Sequence, residues 1–265
     1  MTTTLPSANS QLYWEIKGTG PAVLLIAGTP GDSGQFDRVA AELAPHRTVI
    51  TYDRRGTSRS PSIPDWHATS VAEQAGDAAA VLAAAGAGPA LVYGTSNGAA
   101  VALELALRRP GQVRGTILHE LPLLSALADP APVGAMIGSV IEAGMTTGGP
   151  PAALDGFLRF AFGDEVVDGW SPQLRDRMVG NADLVFGVEL PAFQAYRPDE
   201  TALRATRVPV HVVVGAQQAA PFFGEAAAWL ADRLGTAVRT WPGAHGPQFT
   251  CPADLAAAIT ALDPA

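Results

Sequence analysis

Leu91-Val92-Tyr93-Gly94-Thr95-Ser96-Asn97-Gly98-Ala99-Ala100 is the stretch on which the reading of this chain turns. A short apolar run leads into a turn, and from Val101 to Leu107 the chain is rich in alanine, leucine and valine. This pattern predicts a β-strand, a sharp turn with Ser96 at its apex, and then a helix. Ser96 stands in a Gly-x-Ser-x-Gly frame,. A hydroxyl held on a strained strand-to-helix turn leaves no space for Cβ atoms two residues to either side, which is the mechanical reason for Gly94 and Gly98. Ser96 Oγ is then presented at the positive end of the following helix, where developing negative charge is favoured. Ser96 is the candidate nucleophile.

Outward from this unit, strand and helix patterns alternate. Residues 11 to 17 alternate apolar and polar side chains, and residues 22 to 27 form a continuous apolar run, as in a strand covered on both faces,. Residues 47 to 52, 113 to 119, 209 to 214 and 237 to 240 also read as strands,. Helical spacing runs from 69 to 85, closed by Gly86, and again over 222 to 234 and 253 to 262, the last with Pro252 at its first turn,. Such alternation predicts an α/β chain with a mostly parallel sheet and helices on both faces. Between residues 121 and 207 the texture changes to proline- and glycine-rich sequence with short helical pieces, at 136 to 143 and 154 to 162, and no convincing strand. We expect a core built from 1 to 120 and 208 to 265, with 121 to 207 inserted as a helical lid over the site. A small second domain with no part in substrate handling is the alternative.

Composition narrows the partners. The chain has 265 residues, is 48% hydrophobic and 16% charged, and carries a formal charge of -8. That balance suits one large domain with a filled core and opposes binding to nucleic acid or to an anionic membrane. With a single cysteine, Cys251, no internal disulfide is possible,. No apolar run approaches membrane-spanning length and the first residues lack a signal-peptide pattern, so a cytoplasmic location is expected,. A Gly-rich phosphate loop is absent, and His119-Glu120 has no further histidine at ligand spacing, so neither a cofactor nor a metal is expected,. A monomer and a homodimer remain equally open.

A serine nucleophile needs a base, and the base needs a carboxylate. His245 lies in Trp241-Pro242-Gly243-Ala244-His245-Gly246, a glycine-flanked loop before the last helix, where the order Ser, acid, His requires the base,. His211 sits inside an apolar strand, and His46 and His67 in polar loops. The usual place for the acid, after the strand at 209 to 214, holds Gly215-Ala216-Gln217-Gln218. Glutamine can accept from imidazole but cannot offset its positive charge. Glu120 follows the strand expected beside the one carrying Ser96, and could reach His245 Nδ1 from there. The competing roles for Glu120 are a pair with Arg54 or Arg55, or a cap on the lid. Asp53, which more readily ties its own loop, Asp32 and Glu189 are weaker candidates for the acid. Oxyanion donors are expected at the backbone N-H groups of Asn97 and Thr29. Cys251, at a helix start, is a poor alternative nucleophile.

Four stretches, Gly28-Thr29-Pro30-Gly31, Asp53-Arg54-Arg55-Gly56, Gly94 to Gly98 and Pro242-Gly243-Ala244-His245, together resemble the α/β-hydrolase fold in order and spacing, over the whole chain outside the lid. Ala27 stands where that family often has histidine. The change leaves the main-chain donor intact and alters the hydrogen bonding inside the loop. Within the family, His119-Glu120-Leu121-Pro122, Val214-Gly215-Ala216 through Phe222-Phe223, and residues 242 to 252 are similar to the fungal zearalenone-type lactone hydrolases. That resemblance implies a Ser-Glu-His triad at Ser96, Glu120 and His245, an acyl-enzyme, and a small apolar ester or lactone as substrate. Phe157, Phe160, Phe162, Trp170, Leu184, Phe186 and Phe193 give the lid apolar, mostly aromatic side chains that either meet the substrate or fasten the lid to the core, and Gly28, Trp170, Phe186 and Phe222 are the expected substrate contacts,. A non-catalytic ligand-binding homologue and a carbon-carbon bond hydrolase using the same triad remain open. Dehalogenase and epoxide hydrolase chemistry would require a carboxylate in place of Ser96.

Overall fold

The computed structural model describes residues 2–7, 10–62, 66–217 and 220–262; Gln218 lies outside them. Eight strands, β1 Thr2–Ser7, β2 Ser10–Lys17, β3 Ala22–Ile26, β4 Thr48–Tyr52, β5 Ala90–Thr95, β6 Val113–His119, β7 Val210–Gly215 and β8 Val238–Trp241, form one sheet in the order β1-β2-β4-β3-β5-β6-β7-β8. β1 and β2 pair antiparallel, β2 runs antiparallel to β4, and the remaining neighbours are parallel. β1 was not expected. Thr2-Thr3-Thr4-Leu5-Pro6-Ser7 carries no alternation of apolar and polar residues, and as an edge strand it is held by backbone pairing with β2,.

The apolar runs are continuous because both sheet faces are covered. In β3, Leu24 and Ile26 enter a core closed by α2 Val71–Ala84 and α3 Asn97–Arg108, while Val23 and Leu25 enter one closed by α1 Asp37–Leu43 on the opposite face. α2 begins where Ser70 Oγ accepts from the N-H of Glu73, as an N-cap hydroxyl should,.

Residues 121–207 contain no strand among those described. The two expected helical pieces belong to one longer run, α4 Ala131–Phe162, broken at Gly148 and Gly149, where Gly149 has φ 72° and Pro150 and Pro151 follow. The halves fold back on each other, since a Cβ on Gly144 would lie 2.3 Å from Ala153 Cα. α5 Asp164–Asp168, α6 Pro172–Gly180, α7 Ala182–Leu184, a π-helical turn Val185–Glu189, α8 Leu190–Gln194 and α9 Glu200–Ala205 complete the segment. Its polar ties to the sheet side are specific: Arg177 Nε donates to Asp32 Oδ2 at 2.6 Å, and Asn181 Nδ2 to the Pro30 carbonyl at 3.2 Å. The chain then returns through β7, α10 Pro221–Leu234, β8, α11 Pro247–Thr250 and α12 Pro252–Ala261. Among the described residues, no helix is long and apolar enough to cross a membrane.

Candidate active site

The turn after β5 has the geometry its glycines demand. Ser96 has φ 52° and ψ -131°, a left-handed-side conformation that non-glycine residues rarely adopt,. A Cβ on Gly94 would lie 2.4 Å from the Gly98 carbonyl oxygen, and one on Gly98 would lie 2.4 Å from the Ile26 carbonyl oxygen. Backbone cannot yield as a flexible side chain can, so both positions exclude any larger residue. The Ser96 N-H donates to the His119 carbonyl at 2.9 Å, which docks the turn onto the end of β6.

That neighbouring strand end carries Glu120, the candidate acid. Glu120 is buried, with φ 46°, so it is a second strained residue beside the first. Its Oε2 lies 2.8 Å from His245 Nδ1, and its Oε1 accepts the Gly215 N-H at 2.8 Å. Burial pushes the carboxyl pKa up, but the hydrogen bond and charge of His245 and the Gly215 N-H outweigh it and hold the group below its ordinary value,. A Cβ at Gly215, the last residue of β7, would lie 2.5 Å from the Gly243 carbonyl oxygen, so β7 ends against the loop bearing His245 and contributes a backbone donor to Glu120.

The competing partners for Glu120 are taken elsewhere. Arg54 binds Glu189, and Arg55 binds Asp77 and Glu73. Asp53 ties its own loop, accepting from the Ser33 N-H at 2.8 Å and from Arg59 Nε at 2.7 Å. Asp32 is held by Arg177, and His211 lies on β7 away from the triad residues.

Ser96, Glu120, His245, Thr29 and Asn97 all line one cavity of about 460 Å³. Asn97 Nδ2 donates to Thr29 Oγ1 at 2.8 Å, which ties together the two residues whose N-H groups were expected to serve an oxyanion. Gly28 abuts Ser96: a Cβ there would lie 2.8 Å from Ser96 Cβ. The rest of the lining is apolar, chiefly from α4 and from the start of α10, and it includes Phe222. Glu120 and His245 are the ionisable side chains among the described lining residues.

Of the four expected substrate contacts only Phe222 lines the cavity; Gly28, Trp170 and Phe186 do not. Trp170 packs on Phe162 and Phe249 with centroid distances of 5.9 and 5.1 Å, and Phe186 packs into the small apolar cluster around Leu154, Met178 and Val185. The inserted segment needs an interior of its own, and these rings supply it. Leu184 likewise faces Gly56 and does not line the cavity. Phe157, Phe160, Phe162 and Phe193 do line it. The sequence reading missed the packing of Phe223 and Phe162 against His245. Both rings stack on the His245 imidazole, at 4.6 and 5.8 Å between centroids and 19° and 25° between planes. The adjacency of Phe222 and Phe223, at the start of α10, was the available signal.

A family model described as the alpha/beta hydrolase fold matches residues 21–136. The hydrolase YraK of Bacillus subtilis (strain 168) is 42% identical over 123 residues, which are 46% of this chain and 45% of that protein. The match therefore spans less than half of that relative. A zearalenone hydrolase of Cladophialophora bantiana is 27% identical over 253 residues, covering 91% of this chain and 88% of that one. Among solved structures, the enol-lactonase from Burkholderia xenovorans LB400 superposes with a TM-score of 0.78 at 18% identity, over 98% of both chains. At that identity the likeness speaks for the fold alone.

Proposed function

We propose that this chain, which has the α/β-hydrolase fold, is a serine hydrolase that cleaves an uncharged, apolar carboxylic ester or lactone. The carrying observation is that a serine on a strained turn and a part-buried Glu120–His245 hydrogen bond of 2.8 Å open onto one apolar cavity. In this mechanism Ser96 Oγ attacks the carbonyl and His245 takes its proton. Glu120, accepting from Nδ1, fixes the tautomer and stabilises the imidazolium. The N-H groups of Asn97 and Thr29 receive the oxyanion. His245 returns the proton to the leaving alcohol, and water then releases the acyl group by the same route. Neither an arginine nor a lysine lines the described cavity, which favours neutral substrates over carboxylate-bearing ones,. The likeness to a zearalenone hydrolase over most of the chain supports a bulky lactone as one such substrate.

The direct test is hydrolysis of a p-nitrophenyl ester and of zearalenone by the wild type and by Ser96→Ala. Turnover of either compound, with a loss on the order of 10⁵-fold in kcat for the variant and ligand affinity retained, is the expected result. A wild type that binds apolar ligands and turns over neither compound would sink the hydrolase reading.

A further inference from the structure

Arg54 belongs to the Asp53-Arg54-Arg55-Gly56 stretch, and the triad makes no use of it. Its side chain is fully buried, yet every part of it is engaged. Nε donates to the Ala27 carbonyl at 3.0 Å, and Nη1 donates to Gln74 Oε1 at 2.7 Å. Nη1 and Nη2 bind the Glu189 carboxylate at 2.5 and 3.1 Å. The Arg54 main-chain N-H donates to the Gly31 carbonyl at 3.0 Å. Ala27 and Gly31 are the two ends of the loop that holds Gly28 against Ser96 and carries the Thr29 N-H. One residue therefore grips both ends of that loop.

The other end of the ion pair belongs to the inserted segment. Glu189 closes the π-helical turn, Leu190 directly after it lines the cavity, and so does Phe193, whose ring centroid lies 5.2 Å from the Arg54 guanidinium carbon. Taking two charges fully out of water gives little net stability compared with an apolar pair of the same volume. The fork geometry of arginine does give fixed distances between three separate pieces of chain.

We infer that Arg54 is a positioning residue for the oxyanion loop, and that its pair with Glu189 couples this loop to the cavity-lining residues Leu190 and Phe193. The inference rests on the hydrolase reading above. A loop donor acts on the charge that develops in the transition state, so its displacement lowers kcat more than it raises KM.

The test compares Glu189→Gln, Arg54→Lys and the neutral double variant Arg54→Met/Glu189→Met, using p-nitrophenyl acetate and p-nitrophenyl octanoate, with folding followed by thermal melting. The double variant leaves no uncompensated buried charge. Expected is a fall in kcat of about 10- to 100-fold on both esters, with KM for the acetate changed by less than about twofold. A folded variant set with wild-type kcat and only a raised KM for the octanoate would overturn the inference, because the pair would then merely seat the insert. So would failure of all three variants to fold, which would make Arg54 a structural residue. A wild type inactive on both esters would instead remove the hydrolase reading itself.

Discussion

The sheet-end wall of the cavity and the wall built by residues 121–207 face the same space with opposite chemistry. On the sheet side, two non-glycine residues with positive φ, Ser96 and Glu120, sit at the ends of adjacent parallel strands, surrounded by glycines that tolerate no Cβ. On the other side, Val133, Met136, Ile137, Phe157 and Phe160 offer apolar surface with no bond directed at a reacting atom. One wall is over-determined by backbone contacts, and the other is determined by volume. Reactivity should therefore be intolerant of change on the first and specificity adjustable on the second.

The largest effect that would sharpen this contrast is at Glu120. Glu120→Gln keeps the shape and removes the charge that stabilises the imidazolium, so kcat should fall about 10³- to 10⁴-fold. Gln217→Ala, at the position after β7 where the acid is usually found, should change kcat by less than about twofold, since the Gln217 backbone is held by the Gly243 carbonyl. Ester kinetics on both variants check this. Equal losses would mean that the acid is not Glu120 and that the sheet-end wall is less strictly specified than its geometry suggests.

The next effect concerns stability on the same wall. His119, completely buried under Tyr93 and Trp241, has its Nδ1 2.8 Å from Tyr93 Oη. Burial is the main cause that lowers its pKa to about 4, from an ordinary value of 6.5. Between those values the unfolded chain binds a proton that the folded chain refuses, so stability must fall as pH drops from 6.5 toward 4. The loss from His119 is about 2 kcal/mol by pH 5. His211, lowered by burial and by Arg239, adds in the same direction. Glu120 works in the carboxylate range: its stabilisation is present above 4.5, and is lost as pH falls below that through its lowered folded value,. Urea unfolding at pH 7 and pH 5 should show the decrease, and His119→Gln should flatten it by about one proton. A wild-type curve with no pH dependence over that window would contradict a neutral buried His119.

How much of this was legible in the sequence follows the same division. The Ser96 turn could be read because glycine at 94 and 98 has a steric cause that is local to the chain. Glu120 could be read because Gly215-Ala216-Gln217 leaves the usual position without a carboxylate, and strand adjacency could be inferred from chain order. The distance between Glu120 and His245 could not, as it depends on how two loops settle on neighbouring strand ends. In the insert, an aromatic residue carries the same signal whether it lines a cavity or fills an interior, so Phe157 and Trp170 were indistinguishable until packed. Arg54 was visible as part of a motif, but its partner Glu189 lies 135 residues away, on a π-helical turn that no periodicity announces.

The smallest expected effect tests the adjustable wall. Ile137 is half-buried on the first half of α4 and borders the cavity, while the small cluster inside the insert is built from Leu154, Leu158, Val167, Met178, Ala182 and Val185. Ile137→Ala should therefore leave the melting temperature nearly unchanged, because it removes surface offered to the ligand and not to the fold. A bound acyl chain that covers this side chain loses contact worth about 1 to 2 kcal/mol, at about 0.8 kcal/mol per buried methylene. KM for p-nitrophenyl octanoate should rise about tenfold, while KM for the acetate and kcat for both esters stay within about twofold. The acetate is the control, since its acyl group is too short to extend far from Ser96 along the α4 wall. If kcat fell on both esters, the insert would be shaping the reacting centre as directly as the strand ends do, and the separation between the two walls would fail.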